Sequence, residues 1–362
     1  MKNSIGTSVV LTLAGESHGP EITAILDGMA PGIPVSEELI AGHLALRRPS
    51  GPADTARREP DAFRITSGVY NGYTTGTPIT IVIPNEDVRS ADYAALADLP
   101  RPSHADFAGR MKYGGFEDPR GGGHFSGRIT AGIVAAGAIA QSALKAKGVT
   151  VGTHILECAG VCDVPFGENP AEQIERVNVL DFPVLSDVRS RMEDAILVAQ
   201  GEQDSVGGIV QTAICGLPAG VGEPRWGSLD GVLSGAVMSL GGIKGIDFGS
   251  GFGLARMRGS EANDALCATP EGIRTLTNHS GGINGGISNG MPIVFNVVVK
   301  PTPSIAREQK TVNMSTGRDD TICVKGRHDP AIVRRVCIVV TSIVSIVLCD
   351  LLALRFGTDY LR

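Results

Sequence analysis

Between Glu21 and Asp27 the apolar positions Ile22, Ala24 and Leu26 recur at every second residue, which predicts a strand with one buried face. The preceding "TSVVLTLA" reads as another strand, and "FRITSGVYNGYTTGTPITIVI" as a hairpin whose turn is Asn71-Gly72. A helix is predicted from about Gly127 to Lys147, closed by Gly148 ahead of the strand "VTVGTHIL". The same order returns in "SLDGVLSGAVMSL" and "KGIDFG", and again in a helix over about 185–202 followed by "GIVQTAICG". Val336 to Cys349, "VCIVVTSIVSIVLC", is apolar on nearly every face and falls short of the ~18–20 residues that span a bilayer. It predicts a helix buried in a core or a subunit interface. Strands in antiparallel-looking groups with helices between them favour α+β over a doubly wound parallel sheet. No Gly/Ser-rich or Pro-rich linker interrupts the pattern, so a single domain over 1–362 is expected.

Composition changes this picture at one point. The 362 residues include 48 glycines, far above the usual ~7%, gathered in "RGGGHFSG", "SLGGIKGIDFGSGFG" and "NHSGGINGGISNG". Such clusters between well-patterned elements suit backbone wrapped around a flat or phosphorylated ligand. The net charge of −6 argues against a general nucleic-acid binder. Seven scattered cysteines without a C-x-x-C, and no secretory leader, favour free thiols in a cytoplasmic protein. His154, Cys158 and Cys162 lack a fourth ligand, so no metal is expected. The nucleotide fingerprints G-x-x-x-x-G-K-[ST] and strand-linked G-x-G-x-x-G are absent.

The candidate chemistry lies in loops. "GESHG" satisfies the G-x-S-x-G elbow of serine hydrolases, but a strand and not a helix follows it, which leaves His18 rather than Ser17 to explain. Arg47, Arg48, Arg57, Arg58 and Arg64 crowd a stretch broken by prolines, an arrangement suited to trapping a multiply charged small anion. His104 follows a proline, and His124 sits in a glycine run flanked by Arg120 and Arg128 ahead of a predicted helix start. Lys300 ends a strand in the stiff loop "KPTPS". Asp329 precedes Pro330, which predicts proline at the first position of the long apolar helix with Asp329 as its cap.

The blocks "GESHGP", "DGMAPGIP", "RRPSG", "RREPD", "RPSHAD", "KYGGFEDPRGGG", "MSLGGIKGIDFGSGF", "NHSGGINGGISNG", "KPTPS" and "KGRHDP" together resemble the chorismate synthase family over almost the whole chain. The resemblance implies a β-α-β sandwich with helices between antiparallel sheets, two similar halves and a homotetramer. It implies elimination of phosphate from 5-enolpyruvylshikimate 3-phosphate, with reduced FMN required but no net redox change. Under it His18 protonates the departing phosphate, His104 serves the flavin and Asp329 relays the proton taken from C6. Flavin contacts carry over to His124, Phe125, Ser126, Gly241, Gly242, Gly285, Lys300, Pro301, Thr302, Pro303, Ser304 and Arg327. Arg47, Arg48, Arg57, Arg58, Arg128 and Arg335 become contacts to substrate or to NADP. The chain departs from the family at His124-Phe125, where many members carry Arg-Ser, and at Pro52, where many carry an arginine. Some relatives reduce their flavin with NADPH and others use a separate flavin reductase; the resemblance leaves both open. The alternative reading is a non-catalytic FMN-binding or flavin-reductase module.

Overall fold

The computed structural model describes every residue except Met1, Pro52, 55–58, 87–97, Glu271 and 325–328, so Arg57, Arg58 and Arg327 lie outside the described residues. Two five-stranded antiparallel sheets enclose helices. The first sheet runs in the spatial order Ser4–Ile5, Val10–Ala14, Glu21–Asp27, Ile79–Pro84, Arg64–Ser67. The second runs Ile243–Phe248, Ile293–Val299, Gly208–Cys215, Thr150–Cys158, Val161–Cys162. The helices are α1 (Glu37–Arg47), α2 (Asp106–Tyr113), α3 (Thr130–Ala146), α4 (Ala171–Val177), α5 (Arg189–Gly201), α6 (Leu229–Met238), α7 (Gly259–Ala262) and α8 (Val333–Phe356).

The α+β sandwich is the architecture expected. α3 lies on the first sheet, α8 on the second, and the two helices pack on each other. One buried apolar cluster runs from Leu11 and Ile81 through Val134, Ile139, Val340 and Val344 to Val210 and Phe295. Gly137 makes the close approach of α3 to α8 possible, since a Cβ there would lie 2.3 Å from Ser342 Cβ. The period-two pattern is realised as read, with Ile22, Ala24 and Leu26 fully buried. Asn71 and Gly72 both take positive φ (50° and 77°) in the turn between Val69–Tyr70 and Tyr73–Thr74, as a tight hairpin requires.

Several expectations need correction. The helix expected from about 185 begins at Arg189, because the Asp163 carboxylate holds the Leu185 and Ser186 N–H groups in a preceding turn. Both helix-to-strand recurrences feed the same sheet, the second. The apolar helix does not stop at Cys349: α8 continues through Asp350, whose carboxylate accepts the N–H groups of Thr7, Ser8 and Val9 at 3.0, 2.6 and 2.9 Å. By length and composition alone, Gly127–Ala146 and Val333–Phe356 could each cross a membrane; here 72% and 94% of those windows are buried inside the protein. Nor is Asp329 the cap of α8 or Pro330 its first residue. Ile332 is the N-cap, without a side-chain hydrogen bond, and the Asp329 carboxylate pairs instead with Arg335 in the helix's first turn.

Candidate active site

A cleft of about 1480 Å³ opens between the N-terminal segment Lys2–Thr7, α3, α6, α8 and the loops around them. His104, His124, Phe125, Ser126, Gly241, Gly242 and the whole run Lys300 to Ser304 line it, together with Asp329 and Arg335. A smaller pocket of about 240 Å³ adjoins it and is lined by Arg47, Arg48, Arg128 and Arg335. Ser126, Gly241, Asp329 and Arg335 belong to both walls. Loops far apart in the sequence therefore converge on one cleft. Gly285 does not join them: it sits exposed at the tip of the hairpin formed by Ile283–Asn284 and Ile287–Ser288.

The glycine run 121–123 sets the relation of the two loop histidines. All three glycines have positive φ (61°, 82° and 53°), which side-chain-bearing residues rarely adopt. A Cβ on Gly121 would stand 2.6 Å from the His18 ring, and one on Gly122 would stand 3.3 Å from His104 Cε1. His18 and His104 thus lie against neighbouring glycines of one strap. His18 is buried and lines neither pocket, but Gly121, which covers it, lines the smaller one. The Ser17 N–H donates to Gly123 O at 3.0 Å, and His124 Nδ1 meets Gly15 O at 2.9 Å. Ser17 is itself fully buried, its Oγ receives a hydrogen bond from Ser126 Oγ, and the strand Glu21–Asp27 follows. The hydrolase elbow is absent.

His104 is held by a cluster that the sequence reading missed. Its Nδ1 lies 2.5 Å from Asp106 Oδ1 and 3.0 Å from Arg101 Nη2. The ionised carboxylate oxygen at 2.5 Å can only accept, so Nδ1 is the donor of the Asp106 contact, and Arg101 Nη2 donates to that same oxygen. Arg101 grips the same carboxylate through Nε, Nη2 and its backbone N–H, at 2.8, 2.8 and 2.9 Å, and donates to Ser304 Oγ at 3.1 Å. Burial pushes the Asp106 carboxyl up, but these hydrogen bonds from Arg101 and His104 outweigh it and hold the group well below the usual range. Lys300 Nζ donates to Ser103 O at 2.7 Å, which ties the His104 loop to the 300–304 loop a second time. Burial and the neighbouring Lys244 lower the Lys300 ammonium from its ordinary value.

The arginines divide by role. Asp61, buried and at a φ of +52°, binds Arg47 at 2.9 Å and also Arg128, which donates further to Asn85 Oδ1 and Pro84 O. Burial would raise the Asp61 carboxyl, but the two guanidiniums hold it below its ordinary value. Arg48 is only half-buried and donates to Pro60 O at 2.9 Å. Arg334 turns away from the pocket to grip Asp54 and the Arg48 carbonyl, pinning the basic segment in place. Of the five clustered arginines, Arg64 is exposed on its strand and Arg57 and Arg58 lie outside the described residues; Arg120, at the glycine run, pairs with Asp118. Ser126 Oγ accepts the Arg128 N–H, so one of the donors foreseen for an anion at this helix start is already used. His154 meets Gln211 at 3.3 Å and Asp163 at 3.4 Å, while Cys162 is exposed. Among the described residues no three His, Cys, Asp or Glu side chains are grouped to hold a metal ion.

A family model described as chorismate synthase matches residues 9–353. The chain is 43% identical over 353 residues to a chorismate synthase of Chitinophaga pinensis, covering 98% of this chain and 97% of that one. It is 44% identical over 357 residues to a chorismate synthase of Nitratidesulfovibrio vulgaris strain Hildenborough, with 98% and 97% covered. A chorismate synthase of Korarchaeum cryptofilum matches at 42% over 346 residues, covering 95% and 96%. A solved structure described as a crystal structure of chorismate synthase superposes with a TM-score of 0.77 at 28% identity, over 98% of this chain and 94% of that one.

Proposed function

The chain belongs to the chorismate synthase family and is a lyase, and we propose that its two adjoining pockets hold reduced FMN and 5-enolpyruvylshikimate 3-phosphate. The observation that carries this reading is the shared wall: the Asp329–Arg335 pair faces both the wide cleft and the arginine pocket. The cleft fits the flavin. Thr302 Oγ1 is buried in its wall with no hydrogen-bond partner among the described residues, and a Cβ on Gly241 would meet nothing closer than 4.0 Å. His124, Phe125, Ser126, Gly241, Gly242 and Lys300 to Ser304 would hold the group, with Arg327 and Gly285 retained from the family resemblance alone.

Bound reduced flavin supplies electron density to the substrate and recovers it as hydrogen leaves C6. The chain's residues handle charge and protons. Arg48 and Arg335, with Arg47 and Arg128 fixed beneath by Asp61, meet the substrate's phosphate and carboxylates. His18, behind the Gly121 strap, gives its proton to the phosphate as the C–O bond breaks. His104, when protonated, presents a donor to the cleft from the other side of the strap. Asp329 accepts the proton lost from C6, with Arg335 holding the carboxylate in place. Phosphate departs with the bonding pair and C6 loses a proton, so no net redox change occurs. The whole chain acts as one catalytic unit in this reading. A cytoplasmic homotetramer completes it, supported by free cysteines and by the exposed apolar residues Leu266 and Ile273 on one face of their hairpin.

An anaerobic assay with chemically reduced FMN tests the proposal, following chorismate absorbance and phosphate release together. Both products should appear in equal amounts. His18→Ala and His104→Ala should each lower turnover about 10²- to 10⁴-fold with ligands still bound. Flavin binding without phosphate release from the wild-type protein would favour the non-catalytic module instead.

A further inference from the structure

We propose that Asp106, clamped by Arg101, is a positioning residue that fixes the Nδ1–H form of His104 and so turns Nε2 toward the cleft. The inference rests on the role given to His104 above.

Asp106 opens α2, where a carboxylate would ordinarily serve the free N–H groups of its own first turn. It does not do so. Ala105 is the N-cap without a side-chain bond, and the Asp106 oxygens face backward to collect the Arg101 backbone N–H, two guanidinium N–H groups and His104 Nδ1. The arrangement is directional. Arg101 occupies both oxygens and is itself buried and tied to Ser304, so the carboxylate cannot rotate away from the imidazole. Carboxylate oxygens only accept, so the proton between them belongs to Nδ1. The remaining nitrogen, Nε2, packs toward Gly122, where a Cβ would approach it to 3.5 Å, and the His104 ring that carries it lines the cleft. There it accepts when the ring is neutral and donates when the ring is protonated. With the opposite tautomer the neutral ring would offer Nε2–H to the cleft and leave Asp106 facing a lone pair.

Solid-state NMR of enzyme labelled with ¹⁵N-histidine reads the tautomer directly, with His104 assigned from the signal lost in His104→Gln. Wild-type protein should show Nδ1 protonated and Nε2 bare in the neutral ring. Asp106→Asn can present its amide NH₂ to Nδ1, so His104 should move toward the Nε2–H form. Turnover should fall about tenfold to a hundredfold with substrate KM nearly unchanged, the size typical of losing a supporting partner. Asp106→Glu, which keeps the carboxylate, should recover part of the loss and the original tautomer. An Nε2–H ring in the wild type overturns the proposal without needing any variant to fold. An unchanged tautomer in a folded Asp106→Asn protein overturns it as well. Full activity in His104→Ala would sink the catalytic role of His104, whereas the tautomer shift would still support the positioning by Asp106.

Discussion

His43 shows how a single buried group reports on the stability of the protein. It lies inside α1, its Nδ1 has no hydrogen-bond partner among the described residues, and burial pushes its pKa down to about 4. A folded pKa below the unfolded one means the unfolded chain takes up the proton first. The neutral imidazole therefore contributes its full stability above pH 6.5, and that contribution is lost as pH falls from about 6.5 toward 4. At ~1.4 kcal/mol per unit the loss amounts to roughly 3 kcal/mol by pH 4. Urea unfolding of the wild type across this range should show that slope, and His43→Leu should flatten it. Equal slopes in the two proteins would place the acid sensitivity elsewhere. Asp61, depressed by its two arginines, acts only below the ordinary carboxylate range, so the two groups separate along the pH axis.

The contact of α3 with α8 decides whether the two sheets can close on one another. Gly137→Ala places a methyl 2.3 Å from Ser342 Cβ, so one helix must shift. Overpacking of this kind costs about 1–3 kcal/mol. Adding Ser342→Gly removes Cβ and Oγ but leaves the residue-342 Cα 2.6 Å from the new methyl, so the double variant should recover part of the loss and be more stable than the sum of the two single changes predicts. Strict additivity in thermal unfolding would show that the helices had already moved apart. These elements were legible because their signals are local: period two at Ile22, Ala24 and Leu26, Asn-Gly at the hairpin, and an apolar run on all faces for α8. The start of α8 was misread because Asp329-Pro330 has the local form of a cap, while a guanidinium in the helix's first turn claims the carboxylate. Asp61, Arg101, Asp106 and Arg334 were missed for a related reason. Their partners are chosen by tertiary approach, and only the placing of Asp106 two residues after His104 hinted at a pairing. The loops meeting at the cleft were found through motifs, since no periodicity connects residues 104, 124, 241 and 302.

Across the molecule, the cleft and the arginine pocket share the wall made by Ser126, Gly241, Asp329 and Arg335 but differ in the rest of their lining, and in the proposed reading that difference separates cofactor contacts from substrate contacts. The wide cleft is built by the N-terminal segment, α6, α8 and the 300–304 loop, none of which contains Arg48. Arg48 lines only the smaller pocket. Its guanidinium donates to the Pro60 carbonyl, whereas Arg47 and Arg128 are locked onto buried Asp61. Truncating Arg48 should therefore spare the fold and the flavin site. A ligand that binds only the folded protein stabilises it by about 2.7 kcal/mol at a hundred times its Kd. Reduced FMN should then raise the Tm of wild type and Arg48→Ala alike. The further rise on adding substrate should shrink in Arg48→Ala, because losing one charge-assisted contact costs about 1.5–3 kcal/mol, tenfold or more in affinity. If Arg48→Ala instead loses the FMN shift and keeps the substrate shift, the assignment of the two pockets is reversed. If both shifts survive intact, Arg48 belongs to the solvated surface, and Arg335 becomes the guanidinium on which substrate capture depends.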